Sequence, residues 1–268
     1  MPHSMRLLLQ GLVLSLGMMF GLSALAAQEV RVGGAHFPPY VLEPRQEQIG
    51  GLLPELLEAL NQAQSDYRFV LVPTSIKRRF RDFEQGRIDM AIFENPEWGW
   101  QTIPHGTVDM GLEDAEVFVG RQVAGRDQGY FNGLAGKRLA LYSGYHYQFA
   151  GFNSEPKFLA REFNATLTYS HDSNLLMILK ERADIALVTR SYLGDFFQRH
   201  GAYQRQLLVS ERIDQHYRHH ALLRPHAPIG APRFRELLEQ LRRSGQLNAI
   251  FDPYQIVVTP SVVAEPAP

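Results

Sequence analysis

The sequence contains no cysteine, and it has no excess of either charge. The first absence excludes disulfide bonds, cysteine-ligated zinc or iron–sulfur centres, and thiol catalysis. Lys and Arg together number 27 and Asp and Glu 28, for a formal net charge of -1. Because nucleic acids and anionic membranes are bound by basic surfaces, this balance gives no reason to expect either as a partner.

The remaining composition is that of a folded globular protein. Hydrophobic residues make up 45% of the 268, which is too many for a disordered chain. Single hydrophobic cores stop growing at about 250 to 300 residues, so the length allows one large or two modest domains.

The N-terminus has the three parts of a secretory signal peptide. Arg6 is followed by the apolar stretches Leu7 to Leu9 and Gly11 to Ala24, which end at the small-x-small sequence Ala24-Leu25-Ala26. We predict that residues 1–26 are a cleaved signal peptide and that the mature protein is exported. The alternative is an uncleaved membrane anchor, since Leu7 to Ala26 could cross a bilayer as a helix. No later stretch reaches the roughly 18 apolar residues that a transmembrane helix requires.

Strand and helix patterns alternate through the rest of the chain. We predict strands over residues 30–32, 69–72, 89–93, 117–119, 138–142, 165–169, 184–188 and 220–223. We predict helices over residues 52–60, 76–85, from about 145, 174–182 and 232–244, the last followed by Gly245 as a C-terminal cap. Strands separated by helices indicate βαβ units with parallel sheets, here in two sets with a returning strand and helix. From Val257 onward three prolines and no periodicity predict a frayed tail.

Six short motifs, in order, resemble the family 3 periplasmic solute-binding proteins, the receptors of polar amino-acid uptake systems. The resemblance covers residues 30–256 and no single piece of it is specific. The motifs are Val30-Arg31-Val32-Gly33 with Phe37-Pro38-Pro39-Tyr40, Gly51 with Glu55-Leu56, Gly86-Arg87-Ile88-Asp89, Gly136-Lys137-Arg138-Leu139-Ala140 with Ser143-Gly144, Arg182-Ala183-Asp184-Ile185-Ala186, and Leu241 to Leu247 with Ser244-Gly245.

The resemblance implies an α/β, two-lobed periplasmic binding protein of type II. Each lobe would be a mostly parallel sheet flanked by helices, with a cleft at the hinge. Lobe 1 would comprise residues 27–110 and 216–257, lobe 2 residues 113–214, and residues 258–268 a disordered tail. Such a receptor closes on a small-molecule ligand in the periplasm and delivers it to an inner-membrane ABC permease or, alternatively, to a membrane sensor protein. A monomer without cofactor or metal is expected.

The residues that would clamp an α-amino acid are missing. In the family, an arginine after the Gly-x-x-Asp strand binds the ligand carboxylate, but Phe93 to Gln101 contains none. An acidic residue usually follows the second such strand, and Thr189 stands there. We therefore predict a ligand other than a standard α-amino acid held in the usual way.

Aromatic and acidic residues occupy the corresponding places. Phe37 and Tyr40 flank two prolines where the family stacks a ring on the ligand, and Glu94 precedes both tryptophans, Trp98 and Trp100. A carboxylate beside indole faces favours a cation or an aromatic amine. The alternatives are a packed turn for Phe37 and, for the tryptophans, a purely structural role in the loop.

The second lobe offers Ser143 and Tyr145, where the family presents a helix N-terminus to an anionic or carbonyl group. Arg78 is a candidate anion contact, although it lies in a basic run that is typical of a solvated face, and Arg190 is a weaker one. The predicted ligand-binding residues are Phe37, Tyr40, Arg78, Phe93, Glu94, Trp98, Trp100, Ser143, Tyr145 and Thr189.

Catalytic patterns are weak, so we predict a binding protein and not an enzyme. Ser170-His171-Asp172 has the residue types of a triad, but adjacent residues cannot converge on one another. No His-Glu-x-x-His spacing or phosphate-binding glycine loop occurs. The surviving enzymatic alternative is a periplasmic cyclohexadienyl dehydratase-like protein, with Glu94 as general acid.

Overall fold

We describe the protein from a computed structural model, which covers residues 27–42 and 50–260. The predicted signal peptide and residues 261–268 of the predicted tail lie outside the described residues. The strands are β1 (Gln28–Ala35), β2 (Tyr67–Thr74), β3 (Met90–Glu94), β4 (Gly106–Arg121), β5 (Leu139–Tyr142), β6 (Ala165–Thr168), β7 (Ile185–Thr189), β8 (Leu207–Leu223) and β9 (Val257–Val258). The α-helices are α1 (Leu52–Ala63), α2 (Arg79–Glu84), α3 (Pro156–Phe163), α4 (His171–Leu179), α5 (Arg190–Arg199), α6 (Ala231–Arg243) and α7 (Gln246–Phe251). None of these helices has the length and apolar character needed to cross a bilayer.

The described strands form one sheet in the order β2-β1-β3-β8-β4-β7-β5-β6, with β9 paired to β4. We call β2, β1 and β3, with the helices and loops that connect and follow them, the first half of the sheet, and β7, β5 and β6, with theirs, the second half. The neighbours within each half are parallel. The long strands β4 and β8 join the two halves as an antiparallel pair, which we call the ribbon.

The packing follows the same division. One buried cluster gathers apolar side chains of β1, α1, α6 and α7, and another gathers those of β7, α4 and α5. A third cluster contains Phe83 and Ile88 from the first half together with Leu139 and Leu141 from the second. The two halves are therefore in apolar contact. The predicted lobe boundaries stay a prediction.

Most predicted strands and helices are present, with ends shifted by a few residues. Gly245, the predicted C-terminal cap, has the left-handed φ of 78° that suits a residue after a helix. Three expectations were wrong. The helix expected from about Tyr145 is only a 3₁₀ turn at Gln148–Ala150, because the α-helix begins at Pro156. The short strands expected at residues 117–119 and 220–223 are only parts of the long strands β4 and β8. Val257 and Val258 are not frayed, since they pair with Glu113 and Leu112 of β4.

A tight turn between β1 and α1 presents the aromatic residues that lie at the sheet edge. Phe37 and Val41 pair across it, and the Phe37 amide donates to the Val41 carbonyl at 3.0 Å. Gly51 closes the turn with a φ of 107°, where an added Cβ would lie 2.7 Å from the Pro39 carbonyl oxygen. Only glycine fits this backbone, so Gly51 fixes where Phe37 and Tyr40 point.

Candidate functional site

A cavity opens between the two halves of the sheet. From the first half it receives the Phe37 turn, Ile76, Arg79, strand β3 and Trp98. From the second half it receives the loop after β5, with Gly144, Tyr145 and His146. Tyr217 and His219 of the ribbon complete the wall. The aromatic and imidazole side chains in the wall are Phe37, Tyr40, Phe93, Trp98, Tyr145, His146, Tyr217 and His219.

The aromatic rings contact one another across the two halves. Phe37 stacks on Tyr145 with ring centroids 5.2 Å apart and an angle of 5° between the planes. Tyr145 also packs against Trp98 at 5.4 Å, and Trp98 meets Tyr217 edge-on at 5.1 Å. Each such pair contributes about 0.5–1.5 kcal/mol beyond its buried area. The rings therefore both line the cavity and hold the halves together.

Glu94 is engaged by neighbours within the first half of the sheet. Arg79 approaches it with Nε 2.6 Å from Oε1 and donates from Nη2 to Oε2 at 3.3 Å. The Trp100 indole N–H donates to the same Oε2 at 2.9 Å. Both side chains of the ion pair are about one-tenth exposed. The carboxylate is therefore neutralised inside the wall and is not a free partner for a cation.

Tyr40 connects the cavity wall to the ribbon. Its hydroxyl donates to Asp114 Oδ2 at 2.7 Å. His219 Nε2 lies 2.8 Å from the same hydroxyl oxygen, and because the tyrosine proton is directed to Asp114, this nitrogen is the donor. Asp114 also accepts from the Ser191 hydroxyl at 2.6 Å. Burial lowers the pKa of His219 to about 3, so its imidazole is neutral. Phe93 packs on both Tyr40 and His219 and has a φ of 62°, at a register shift of β3.

Three acidic residues lie buried on the ribbon behind the aromatic wall. Asp114 and Glu116 are fully buried and Asp214 is nearly so. The Glu116 carboxyl lies beside the Tyr145 hydroxyl, although the contact is outside ordinary hydrogen-bond geometry. Burial, reinforced by the charges of Asp214 and Asp114, raises the pKa of Glu116 well above its usual range, so its uncharged form is favoured. Burial likewise raises the pKa of Asp114 and of Asp214.

Six of the predicted ligand-binding residues line the cavity: Phe37, Tyr40, Phe93, Glu94, Trp98 and Tyr145. The other four do not, and each has a structural role. Arg78 is half-exposed beside Asp82 at the start of α2, and it is Arg79 that reaches the cavity. Trp100 is fully buried against Phe80 and Phe83.

The remaining two predicted residues serve the backbone. The Ser143 amide donates to the Thr168 carbonyl at 2.7 Å, which ties the end of β5 to β6. The Thr189 hydroxyl accepts from the Tyr192 amide at 3.2 Å and so caps α5. Arg190, the weaker candidate, does not line the cavity.

Sequence reasoning missed Arg79, His146, Tyr217 and His219. Arg79 was passed over for its neighbour because the register of a short helix decides which of two adjacent arginines points inward. Tyr217 and His219 alternate with exposed residues along β8, as period-two burial requires, and this alternation was the available signal. His146 is buried, and burial together with the charge of Arg79 lowers its pKa to about 4.

The side chains that resemble a catalytic triad are directed apart. Ser170 caps α4 by accepting from the Ser173 amide, and Asp172 accepts from the Tyr192 hydroxyl at 2.5 Å. His171 is buried among the rings of Phe37, Tyr142 and Tyr192. Within residues 27–42 and 50–260, no three His, Asp or Glu side chains are grouped to hold a metal ion.

Comparison with known proteins gives a fold and no sequence family. No family model matches the chain, and no curated protein matches it. Many solved structures match. One is a histidine kinase sensor domain with similarity to periplasmic binding proteins, with a TM-score of 0.66 and 18% identity over 88% of this chain and 99% of that one.

Two further solved structures are binding proteins. An ABC uptake transporter substrate-binding protein from Streptococcus pneumoniae with bound histidine has a TM-score of 0.66 and 15% identity, covering 84% of this chain and 92% of that one. An ancestral amino acid-binding protein, described as a precursor of cyclohexadienyl dehydratase, has a TM-score of 0.62 and 15% identity over 84% and 94%. The chain therefore has the two-lobed α/β fold of the periplasmic binding proteins, as the sequence predicted.

Proposed function

From this fold and cavity, we propose that the protein is an extracytoplasmic receptor that encloses a small ligand between two lobes and delivers it to an ABC permease. The observation that carries the proposal is the composition of the cavity wall, which takes Phe37 and Trp98 from one half of the sheet and Tyr145 from the other. A ligand that contacts both halves favours the closed form, and a membrane partner can recognise that form. The predicted signal peptide supports an extracytoplasmic location. We propose that the protein acts as a monomer.

The ligand is best described by the aromatic wall. Rings such as Phe37, Trp98 and Tyr217 offer flat apolar faces, which suit a ligand with a planar or apolar body. The guanidinium of Arg79 is already paired with Glu94, so neither a free carboxylate clamp nor a free cation site remains in that part of the wall. This pairing removes the basis for the cationic ligand that the sequence favoured. Three of the solved neighbours are binding proteins with arginine, glutamine or histidine bound.

A thermal-shift screen of the purified mature protein tests the proposal. Aromatic acids, amides, amines, organic acids and amino acids would be added one at a time, and hits confirmed by calorimetry. We expect stabilisation by compounds with a planar ring, and loss of that stabilisation in Trp98→Ala. Tyr169→Ala, which alters an aromatic residue that is 68% exposed, is the matched control and should bind normally. Failure of every compound to bind would contradict the receptor function.

A sensor function is the second candidate. The observation that favours it is the match to a histidine kinase sensor domain, which extends over 99% of that domain. The two candidates differ in the partner of the closed form. Ligand-dependent stimulation of a permease ATPase in reconstituted vesicles would support transport, whereas ligand-dependent autophosphorylation of a kinase would support sensing.

An enzymatic function receives less support from the geometry. The general acid proposed from the sequence was Glu94, whose carboxylate holds an ion pair with Arg79 and a hydrogen bond from Trp100. Both contacts hold the Glu94 side chain inside the wall, so its carboxyl oxygens are already occupied by protein donors. Incubation with prephenate or arogenate should give no product, and measurable turnover would overturn this conclusion.

A further inference from the structure

The three buried carboxyl groups of the ribbon lie together at a break in its ladder. Asp114 and Glu116 are two residues apart on β4, so their side chains point to the same face of the strand. Asp214 is the extra residue of a β-bulge in β8, opposite Glu116 and Val117. The bulge therefore adds a third carboxyl group to a pair that is already fully buried.

Hydrogen-bond donors distinguish Glu116 from the other two. Asp114 accepts from two hydroxyls and from the amide of the next residue, and Asp214 accepts from two amides of the loop after β5. Such donors stabilise an ionised carboxylate. Among the described residues no amide donates to Glu116, and the Tyr145 hydroxyl beside it lies outside ordinary hydrogen-bond geometry. A proton shared among the three groups is therefore held at Glu116.

The groups that face Glu116 from the surrounding elements do not compensate a negative charge. Three buried tyrosines are near it: Tyr145, Tyr147 and Tyr217. Burial raises the pKa of each, so their hydroxyls are uncharged. On β7 the residue paired with Glu116 is the uncharged Thr189. Arg212 acts on Asp214, but its guanidinium donates to a backbone carbonyl. An ionised Glu116 would thus have two carboxyl groups as neighbours and no paired cation.

The cavity wall that covers Glu116 is made by both halves of the sheet. Tyr145 and Tyr217 line the cavity and also lie near the Glu116 carboxyl. Phe37 and Trp98 of the first half pack on Tyr145 from the cavity side. Separation of the halves would remove these two rings and bring water to the tyrosines and the carboxyl behind them. Hydration favours the ionised form, so opening would release the proton.

We propose that Glu116 is a proton-binding site that links closure of the two halves to the uptake of one proton, so that acid favours the closed, ligand-binding form. The inference rests on the proposed receptor function and adds a mode of regulation to it. A rise in pH would favour the open form and the release of ligand. The link belongs to the ribbon and its cover, so it can be measured without knowing the ligand.

Small-angle scattering of the mature protein without ligand tests the link. We expect a larger radius of gyration at about pH 9 than at about pH 5, because an ionised Glu116 favours the open form. Glu116→Gln cannot ionise and should have the same radius at both pH values. Glu113→Gln is the matched control on the same strand, since Glu113 is exposed and paired with Arg218, and it should behave like the wild type. Equal radii of the wild type at both pH values, or the same increase in Glu116→Gln, would overturn the proposal.

Chemical denaturation detects the proton itself. A carboxyl whose pKa is raised on folding contributes stability that is complete below its ordinary value of 4.5 and is lost as the pH rises through the raised value. Between these two values, the unfolding constant of the wild type should rise about tenfold per pH unit relative to that of Glu116→Gln. A constant ratio of the two unfolding constants would overturn the proposal.

Infrared spectroscopy of the wild type provides a test that needs no variant, should Glu116→Gln fail to fold. Exposed carboxyl groups are ionised at about pH 7, so a carbonyl band of a protonated carboxyl at that pH would come from the buried cluster. Its presence supports the proposal and its absence overturns it. None of these outcomes bears on the receptor function, which the ligand screen tests separately.

Discussion

The ion pair between Arg79 and Glu94 makes a quantitative prediction about stability. In Glu94→Gln the shape of the side chain is kept, but the guanidinium remains in a site where both partners are only about 10% exposed. Breaking a buried pair by removing one partner costs about 3–5 kcal/mol. The carboxamide oxygen of the substituted side chain can still accept from Trp100, so we expect the lower end, about 3 kcal/mol. For a protein of this size that is a fall in Tm of roughly 6–12 °C.

The measurement is thermal unfolding followed by far-UV circular dichroism, which does not depend on the altered environment of Trp100. The double variant Arg79→Met with Glu94→Leu should recover much of the loss, because no charge is left buried. Glu236→Gln is the control, since its partner Arg233 is 39% exposed and such a surface pair contributes less than about 1 kcal/mol. A fall in Tm below about 2 °C in Glu94→Gln would refute the pairing and restore Glu94 as a free ligand contact.

Three further predictions concern the elements around the cavity. Burial lowers the pKa of His171 to about 3, so the free energy of unfolding of the wild type is highest above pH 6.5 and falls as the pH drops from 6.5 towards 3. His171→Phe lacks this titration, and its free energy of unfolding should rise relative to that of the wild type by about 1.4 kcal/mol per pH unit in that window. Equal pH dependence of the two proteins in chemical denaturation would contradict this. Phe37→Ala removes the stack on Tyr145 and should raise the radius of gyration in small-angle scattering without ligand; an unchanged radius would show that the rings do not hold the halves together. Gly51→Ala forces a Cβ against the Pro39 carbonyl at 2.7 Å and should cost roughly 1–3 kcal/mol by chemical denaturation, whereas an unchanged midpoint would mean that the turn adapts.

The sequence predicted the fold well because the fold depends on local patterns. Parallel strands and their helices follow from apolar periodicity. Gly245 could be recognised as a helix end because it directly follows the helical leucine pattern of α6. The strand β8 was mostly missed because Glu211, Arg212 and His216 interrupt its apolar alternation. Those polar residues are tolerated where the strand is exposed on one face, which depends on tertiary packing and not on the local sequence.

The site could be predicted only in part, for the same reason. Phe37, Trp98 and Tyr145 were found because motif order placed them near a cleft. The pairing of Arg79 with Glu94 joins residues 15 apart in the sequence, and nothing local distinguishes an engaged carboxylate from a free one. Because Arg79 pairs with Glu94, a cationic ligand is no longer expected at this carboxylate. The free polar groups of a site can be identified only from the folded structure, where the partners of the other groups are known.

The ribbon of β4 and β8 gives the two halves a mechanical connection. Two strands joined by hydrogen bonds over most of their length resist sliding past each other, so a relative movement of the two halves would require the ribbon to twist or bend. The ladder is interrupted between Asp109 and Glu113, between Glu116 and Val117, and between Val117 and Val119, where fewer bonds oppose deformation. One of these interruptions begins at the buried Glu116, beside Tyr145, and the next begins at Val117. Torsion of the ribbon there would change the depth of the cavity floor as well as the width of its mouth.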